Sequence, residues 1–223
     1  MSMESKRTAL RAAIIAACAM TTTAASAADD AGSGWKPLFN GRNLDGWQHV
    51  GPGEVVVENG VLKTVGGMGL LWYTGEKIGN AVIKVVYRAP DDNGGGNSGV
   101  FIRIPEKPTE PWMPVNRGYE VQIDDSEDDW HRTGVLYSFT KTLGQPKVGE
   151  WNTMEITIQD DRTLVSVNGT KVTDYREGDP VPEKKQKYEP DRGKRAASGF
   201  IGLQNHGDKD TVYFKEISVK KLK

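Results

Sequence analysis

Gly118-Tyr119-Glu120-Val121-Gln122-Ile123-Asp124 alternates apolar and polar side chains residue by residue. That period of two is the pattern of a β-strand, whose successive Cβ atoms point to opposite faces of a sheet. Tyr119, Val121 and Ile123 make one face apolar. Glu120, Gln122 and Asp124 put two carboxyls and an amide on the other, about 6 to 7 Å apart along the strand. An exposed sheet face more often mixes Lys, Thr and Ser, whereas a row of acid and amide groups suits the floor of a cleft for hydroxyl-rich ligands such as sugars.

The same rhythm continues outward from this stretch. From Trp35 onward, short runs rich in Val, Ile, Tyr and Phe are broken by Gly, Asn, Asp and Pro about every ten residues, which predicts an all-β sandwich of two antiparallel sheets. Strands are predicted over 55–58, 61–64, 81–88, 99–104, 119–123, 154–159, 164–167, 200–204 and 211–219. Asn59-Gly60 and Asn168-Gly169 each sit between strand residues, and Asn-Gly is the pair that best tolerates the two positive φ angles of a type I′ hairpin turn. No segment shows sustained helical periodicity. Two interruptions rich in Pro and charge, Pro105 to Arg117 and Arg176 to Ser198, are predicted as surface loops. The second is either a lid over a cleft or a solvated excursion. Trp47 and Trp151, beside glycines at strand starts, are expected between the sheets; Trp72, Trp112, Trp130 and Tyr137 are in or next to predicted loops, where rings can stack on sugars, though most of them are expected in the core.

Composition narrows the function classes. The chain has 223 residues, 37% of them hydrophobic, with 26 glycines and nearly balanced charge, which suits one globular domain over residues 35–223. Residues 1–28 differ: Lys6, Arg7 and Arg11 precede an Ala/Ile run from Ala12 to Met20 and then Ala25-Ser26-Ala27, the three regions of a secretory signal peptide, followed by a short linker over 29–34. The expected location is therefore secreted or periplasmic, with no membrane span, because the apolar run is short of the ~20 residues a helix needs. Its single cysteine, Cys18, lies in that leader, so thiol catalysis and disulfides are excluded from the mature chain. Lipidation at Cys18 is the alternative reading. Without residues 1–28 the chain has 26 basic and 29 acidic residues, a net −3, and no basic surface for nucleic acid is implied. Oligomeric state is not readable.

Strand parity gathers a candidate site. In Gly99 to Ile104, Val100, Ile102 and Ile104 point one way and Phe101 and Arg103 the other. In Gly199 to Gly207, Ile201 and Leu203 point one way and Gln204 and His206 the other. If the polar faces coincide, Glu120, Gln122, Asp124, Arg103, Gln204 and His206 combine carboxyls, a cation, amides and an imidazole, as expected where hydroxyls are bound and protons moved. The plainer alternatives are a Glu120–Arg103 cross-strand ion pair and a turn-capping His206. His131 and His49 read as surface or supporting groups. No cofactor is required by any motif. A divalent metal is an open possibility, held by Glu120, Asp124 and His206, or as calcium by the acidic runs Asp91-Asp92-Asn93 and Asp124 to Asp129.

NGRNLDGW (Asn40 to Trp47), NSGVFIR (Asn97 to Arg103), GYEVQIDD (Gly118 to Asp125), TGVLY (Thr133 to Tyr137), GEWN (Gly149 to Asn152), VNG (Val167 to Gly169), GFIGLQNHG (Gly199 to Gly207) and VYFKEISVKKL (Val212 to Leu222) follow one another in the order of the 3-keto-disaccharide hydrolase domain family. The resemblance spans nearly the whole chain after the leader. It implies a concanavalin A-like jelly roll and a secreted hydrolase or lyase acting on glycosides whose C3 hydroxyl has become a ketone. GYEVQID also resembles the acidic strand of family-16 glycoside hydrolases, but Gln122 stands where that pattern has its middle acid, which argues against direct two-carboxylate hydrolysis of an unmodified glycan.

A 3-keto sugar offers another route. Its ketone acidifies the C2 hydrogen, loss of that proton expels the C1 oxygen, and water then adds back. The expected base is Glu120 or His206, the enolate is held by Arg103 or a metal, and the acid is Asp124 or His206. Arg103, Gln122, Tyr137 and Gln204 are the expected substrate-binding residues. A lectin-like carbohydrate-binding module without catalysis would use the same fold and cleft.

Overall fold

β-Branched and aromatic residues pack well on a pleated, half-buried surface, and the runs that carry them here become strands. The structure, a computed structural model, describes residues 34–90, 96–124, 128–145 and 150–223. The leader over 1–28, Asp91-Asp92-Asn93 and Asp125-Ser126-Glu127 lie outside these residues. In chain order the elements are β1 (Lys36–Pro37), β2 (Trp47–Val50), β3 (Glu54–Glu58), β4 (Val61–Val65), β5 (Gly69–Tyr73), β6 (Ala81–Arg88) and β7 (Ser98–Ile104). Then come α1 (Met113–Arg117), β8 (Tyr119–Ile123), β9 (Asn152–Gln159), β10 (Arg162–Val167), β11 (Thr170–Arg176), β12 (Phe200–Asn205) and β13 (Tyr213–Lys221).

Two antiparallel sheets result. The larger runs β11-β10-β9-β6-β13-β4-β3, with β1 also paired to β13, and the smaller runs β2-β5-β12-β7-β8. Ile83, Val85, Ile156 and Ile217 of the larger sheet meet Val100, Ile102, Val121 and Leu203 of the smaller in one fully buried core. Both Asn-Gly pairs form the expected turns: φ is 52° and 81° at Asn59-Gly60, and 49° and 77° at Asn168-Gly169. Strands β1, β2, β5 and β11 lie outside the sequence expectation. All five residues of β5 are buried, so β5 shows no alternation to read.

Of the two loop predictions, each is corrected in part. Within 105–117 the single-turn helix α1 forms, started by Pro114, and buries Val115 against Leu70, Trp72, Phe101, Ile104 and Phe200. This second apolar cluster lies on the outer face of the smaller sheet. Beyond Arg176, which ends β11, the segment to Ser198 has no helix or strand but is tied down. Arg195 is buried, donates from Nε to Gly118 O at 2.8 Å, and stacks 5.2 Å over the rings of Tyr119 and Phe139. Trp47 packs in the core, with Nε1 donating to Leu38 O at 2.8 Å. Trp151 does not: it is 36% exposed, against Arg88 and Lys215. Trp72, 2% exposed inside β5, is a packing residue, as expected for most of the aromatics beside loops.

Candidate active site

Parity places the site on the outer face of the smaller sheet, beside the apolar cluster. On β8, Tyr119, Val121 and Ile123 point into the main core, so Glu120 and Gln122 point out. Glu120 opposes Phe101 and Gln122 opposes Gly99 on β7. The backbone of 133–137 extends this sheet alongside β8: Gly134 N donates to Gln122 O at 2.8 Å, and Tyr137 N to Glu120 O at 2.9 Å. A cleft of about 470 Å³ opens there, lined by Glu120, Gln122, Asp124, Tyr137, Gln204 and His206. Six of the seven residues expected at the site therefore share one cavity.

Arg103 is the exception. Phe200 pairs with Ile104 while Gly202 pairs with Phe101, so three residue steps on β7 face two on β12, a β-bulge. Arg103 takes a positive φ of 55° there. The bulge turns Ile104 onto the same face as Phe101 and sends Arg103 away from the cleft. It also requires Gly199, where a Cβ would come within 2.5 Å of Arg103 Cα. The guanidinium is buried and donates to Ala196 O at 2.9 Å, Ala197 O at 3.1 Å and Asp160 O at 2.9 Å. It is a strut between the 176–198 segment and the β9–β10 turn. Neither the enolate role nor the ion pair with Glu120 survives this placement.

Glu120 is 7% exposed. Burial pushes its carboxyl up to about 8, opposed by a hydrogen bond from the Gln204 side chain. Near neutral pH it is therefore mostly a neutral acid. Gln122 Nε2 donates to Asn97 Oδ1 at 3.3 Å, and the amide oxygens of Gln122 and Gln204 are buried without a hydrogen-bond partner. The Tyr137 phenol is pushed up to about 12, by burial first and then by Glu120. Asp124 holds its place through backbone bonds with Thr133, whose N and Oγ1 both donate to Asp124 O at 2.9 Å.

Two imidazoles line this cleft, each held by an aspartate. His206 Nδ1 lies 2.6 Å from Asp210 Oδ2, and Asp210 Oδ1 accepts from Asn97 N at 3.3 Å. His131, expected only as a surface or supporting group, has Nδ1 2.6 Å from Asp128 Oδ2 and Nε2 3.1 Å from Ser138 Oγ. The Trp130 amide, then His131, hold Asp128 below its ordinary value. The Asp-x-x-His spacing was the available signal for this pair. Trp112 and Tyr188, 45% and 57% exposed, stand at the rim; Tyr188 comes from the long segment, and nothing local in its sequence points to the cleft. His49 packs over Gly69 instead. Among the described residues no group of three or more His, Cys, Asp or Glu is arranged to hold a metal, and no helix is long and apolar enough to cross a membrane.

Residues 34–220 match the family of the 3-keto-alpha-glucoside-1,2-lyase-like domain. The chain belongs to this family. One relative, a 3-keto-disaccharide hydrolase of Bacteroides thetaiotaomicron, is 24% identical over 85% of this chain and 79% of its own length. Among solved structures, a candidate glycosyl hydrolase of Parabacteroides distasonis is 26% identical, with a TM-score of 0.71 over 86% of this chain and 96% of that one. The carbohydrate binding module CBM66 of Bacillus subtilis shares the fold at 15% identity, with a TM-score of 0.53 over 79% of this chain and 96% of that one. The jelly-roll architecture is thus common to 3-keto-glycoside family members and sugar-binding modules.

Proposed function

We propose that this cleft cleaves glycosides bearing a ketone at C3, by removal of the C2 proton, elimination of the C1 oxygen and addition of water. The observation that carries the reading is the buried Glu120 carboxyl, raised to about 8 and bonded to Gln204, in the same cleft as an aspartate-held imidazole. A carboxyl kept neutral at pH 7 donates a hydrogen bond to a developing oxyanion. Glu120 therefore serves the C3 oxygen rather than acting as base. His206 Nε2, opposite the nitrogen held by Asp210, takes the C2 proton.

The electron pair from the C2–H bond forms the enolate C2=C3, with its oxygen bonded by Glu120 and beside Gln204. Its collapse restores the ketone, makes C1=C2 and breaks the bond from C1 to the glycosidic oxygen. Water then adds its hydroxide to C1 and its remaining proton ends on the departed oxygen, while C2 recovers its proton from His206. Gln122 and Asp124 bind the sugar hydroxyls. Trp112 and Tyr188 offer ring faces to the pyranose. The charged, apolar and small-residue pattern of the first 28 residues supports export, so the substrate would be met outside the cytoplasm.

The test is incubation of purified protein with a 3-keto glucoside and with its unoxidised parent, with and without a chelator, following release of the leaving group. Release from the 3-keto compound alone is expected. Cleavage of the parent alone overturns the mechanism, and binding of both without cleavage leaves a sugar-binding module.

A further inference from the structure

A second hollow, of about 330 Å³, adjoins the cleft. Trp130, His131 and Ser138 line it on one side, and Lys185, Gln186 and Tyr188 on the other. His131 and Tyr188 line both cavities and so mark their boundary. The volume lies in the range of small-ligand sites, and the mixture of indole, phenol, amide and charged groups suits a second hydroxyl-rich ring more than an apolar one.

Asp128, His131 and Ser138 form a hydrogen-bonded row, at 2.6 and 3.1 Å, ending at Ser138, whose φ is 58°. The arrangement has the order of an acyl-transfer triad, but the amides that would stabilise an oxyanion are committed elsewhere. Ser138 N donates to Trp130 O at 3.2 Å, Phe139 N to Leu136 O at 2.8 Å and Thr140 N to Leu136 O at 3.0 Å. A serine nucleophile is therefore not served here. What the row does provide is an imidazole oriented by a carboxylate at the boundary between two ligand-sized cavities.

We propose that the second hollow holds the leaving half of the substrate and that His131 protonates the glycosidic oxygen as its bond to C1 breaks. The proposal rests on the elimination reading above. With the keto ring over Glu120 and Gln204 and a second ring beside Trp130, the oxygen joining them falls at the boundary where His131 stands. The departing oxygen takes the bonding pair and the proton on Nε2, whose contact with Ser138 Oγ is exchanged for one to the glycosidic oxygen while Asp128 keeps Nδ1. In the hydration step the neutral His131 takes a proton from the attacking water, so acid and base are both restored.

The experiment has two parts. Binding of methyl 3-keto-glucoside and of a 3-keto glucosyl-glucose is measured by calorimetry in a Glu120→Gln background. Trp130→Ala and, separately, Gln186→Ala are expected to weaken the disaccharide about tenfold and the methyl glycoside less than about twofold, the cost of one lost ring or amide contact. Equal weakening of both ligands, or of neither, overturns the second site. In turnover, His131→Asn is expected to slow release of a sugar alcohol about 100-fold or more, yet 4-nitrophenolate less than about fivefold, since a phenolate departs without protonation. Equal slowing of both leaving groups would mean a merely structural His131 and overturns the acid role. A wild-type protein that releases neither overturns that role together with the elimination it rests on, while the binding constants still decide the second site.

Discussion

The Glu120 side chain rests on the bare backbone of Gly99: a Cβ at position 99 would lie 2.6 Å from Glu120 Cγ. Glycine here supplies space rather than flexibility, since a methyl group would occupy the position of the carboxyl. Gly99→Ala is expected to lower turnover of a 3-keto glucoside about tenfold or more and stability by about 1 to 3 kcal/mol, the usual range for overpacking. Steady-state kinetics and urea unfolding check this, and unchanged kinetics would show that the carboxyl's seat is irrelevant to catalysis.

The raised Glu120 carboxyl makes stability depend on pH. In the unfolded chain the group ionises near 4.5, in the folded protein near 8. Its contribution is full below about 4.5 and is lost as pH rises toward 8, because over that span the folded protein keeps a proton that the unfolded chain has released. Glu120→Gln removes this dependence. Urea midpoints of the two proteins should diverge progressively between pH 4.5 and 8 in favour of the glutamine variant, and a constant gap across that range would contradict a buried neutral acid.

Arg103 holds three backbone carbonyls from two segments. Arg103→Met removes the donors from three part-buried carbonyls, and a loss of about 1 to 3 kcal/mol is expected. Denaturant unfolding measures it. At temperatures where the variant remains folded, kcat should fall far less than for His206→Ala, because the guanidinium points away from the cleft.

For the His206 and Asp210 pair, His206→Ala is expected to reduce kcat about 100-fold or more, the usual worth of a positioned base. Asp210→Asn should reduce kcat with KM little changed, since it removes the group that orients the ring but no sugar contact. A rise in KM alone in both variants would instead mark the pair as a binding device.

Asn168 occupies a left-handed backbone position, φ 49°, and its Oδ1 accepts from Thr153 N at 2.8 Å. Asn168→Ala loses both the tolerance and the bond, with an expected cost of about 1 to 2 kcal/mol and unaltered kinetics. Thermal unfolding at fixed pH is the check.

Strands whose polarity alternates were legible because the apolar beat marks the face turned to the main core: Ala81–Arg88 and Tyr119–Ile123 appear with the expected bounds. Gly69–Tyr73 was not, because β5 is apolar toward both faces and carries no polar beat. The cleft was legible where parity held without interruption, at Glu120, Gln122 and Gln204. Parity failed at Arg103, where a single extra residue in β7 reverses which way everything beyond it points. His131 and Tyr188 belong to irregular segments, whose side-chain directions follow no period.

The amino-acid order alone determined the β-sandwich class, the two Asn-Gly hairpins and the acid and amide face of β8, since each depends on neighbours one or two residues apart. Tertiary structure decided which polar faces meet: the β7 bulge turned Arg103 into a strut, burial over Gly99 made Glu120 a neutral acid, and Asp128 and Ser138 oriented His131 at the edge of the cleft. These outcomes arise from packing between segments distant in the chain, where desolvation and close approach are set by the assembled sheets and loops rather than by local pattern.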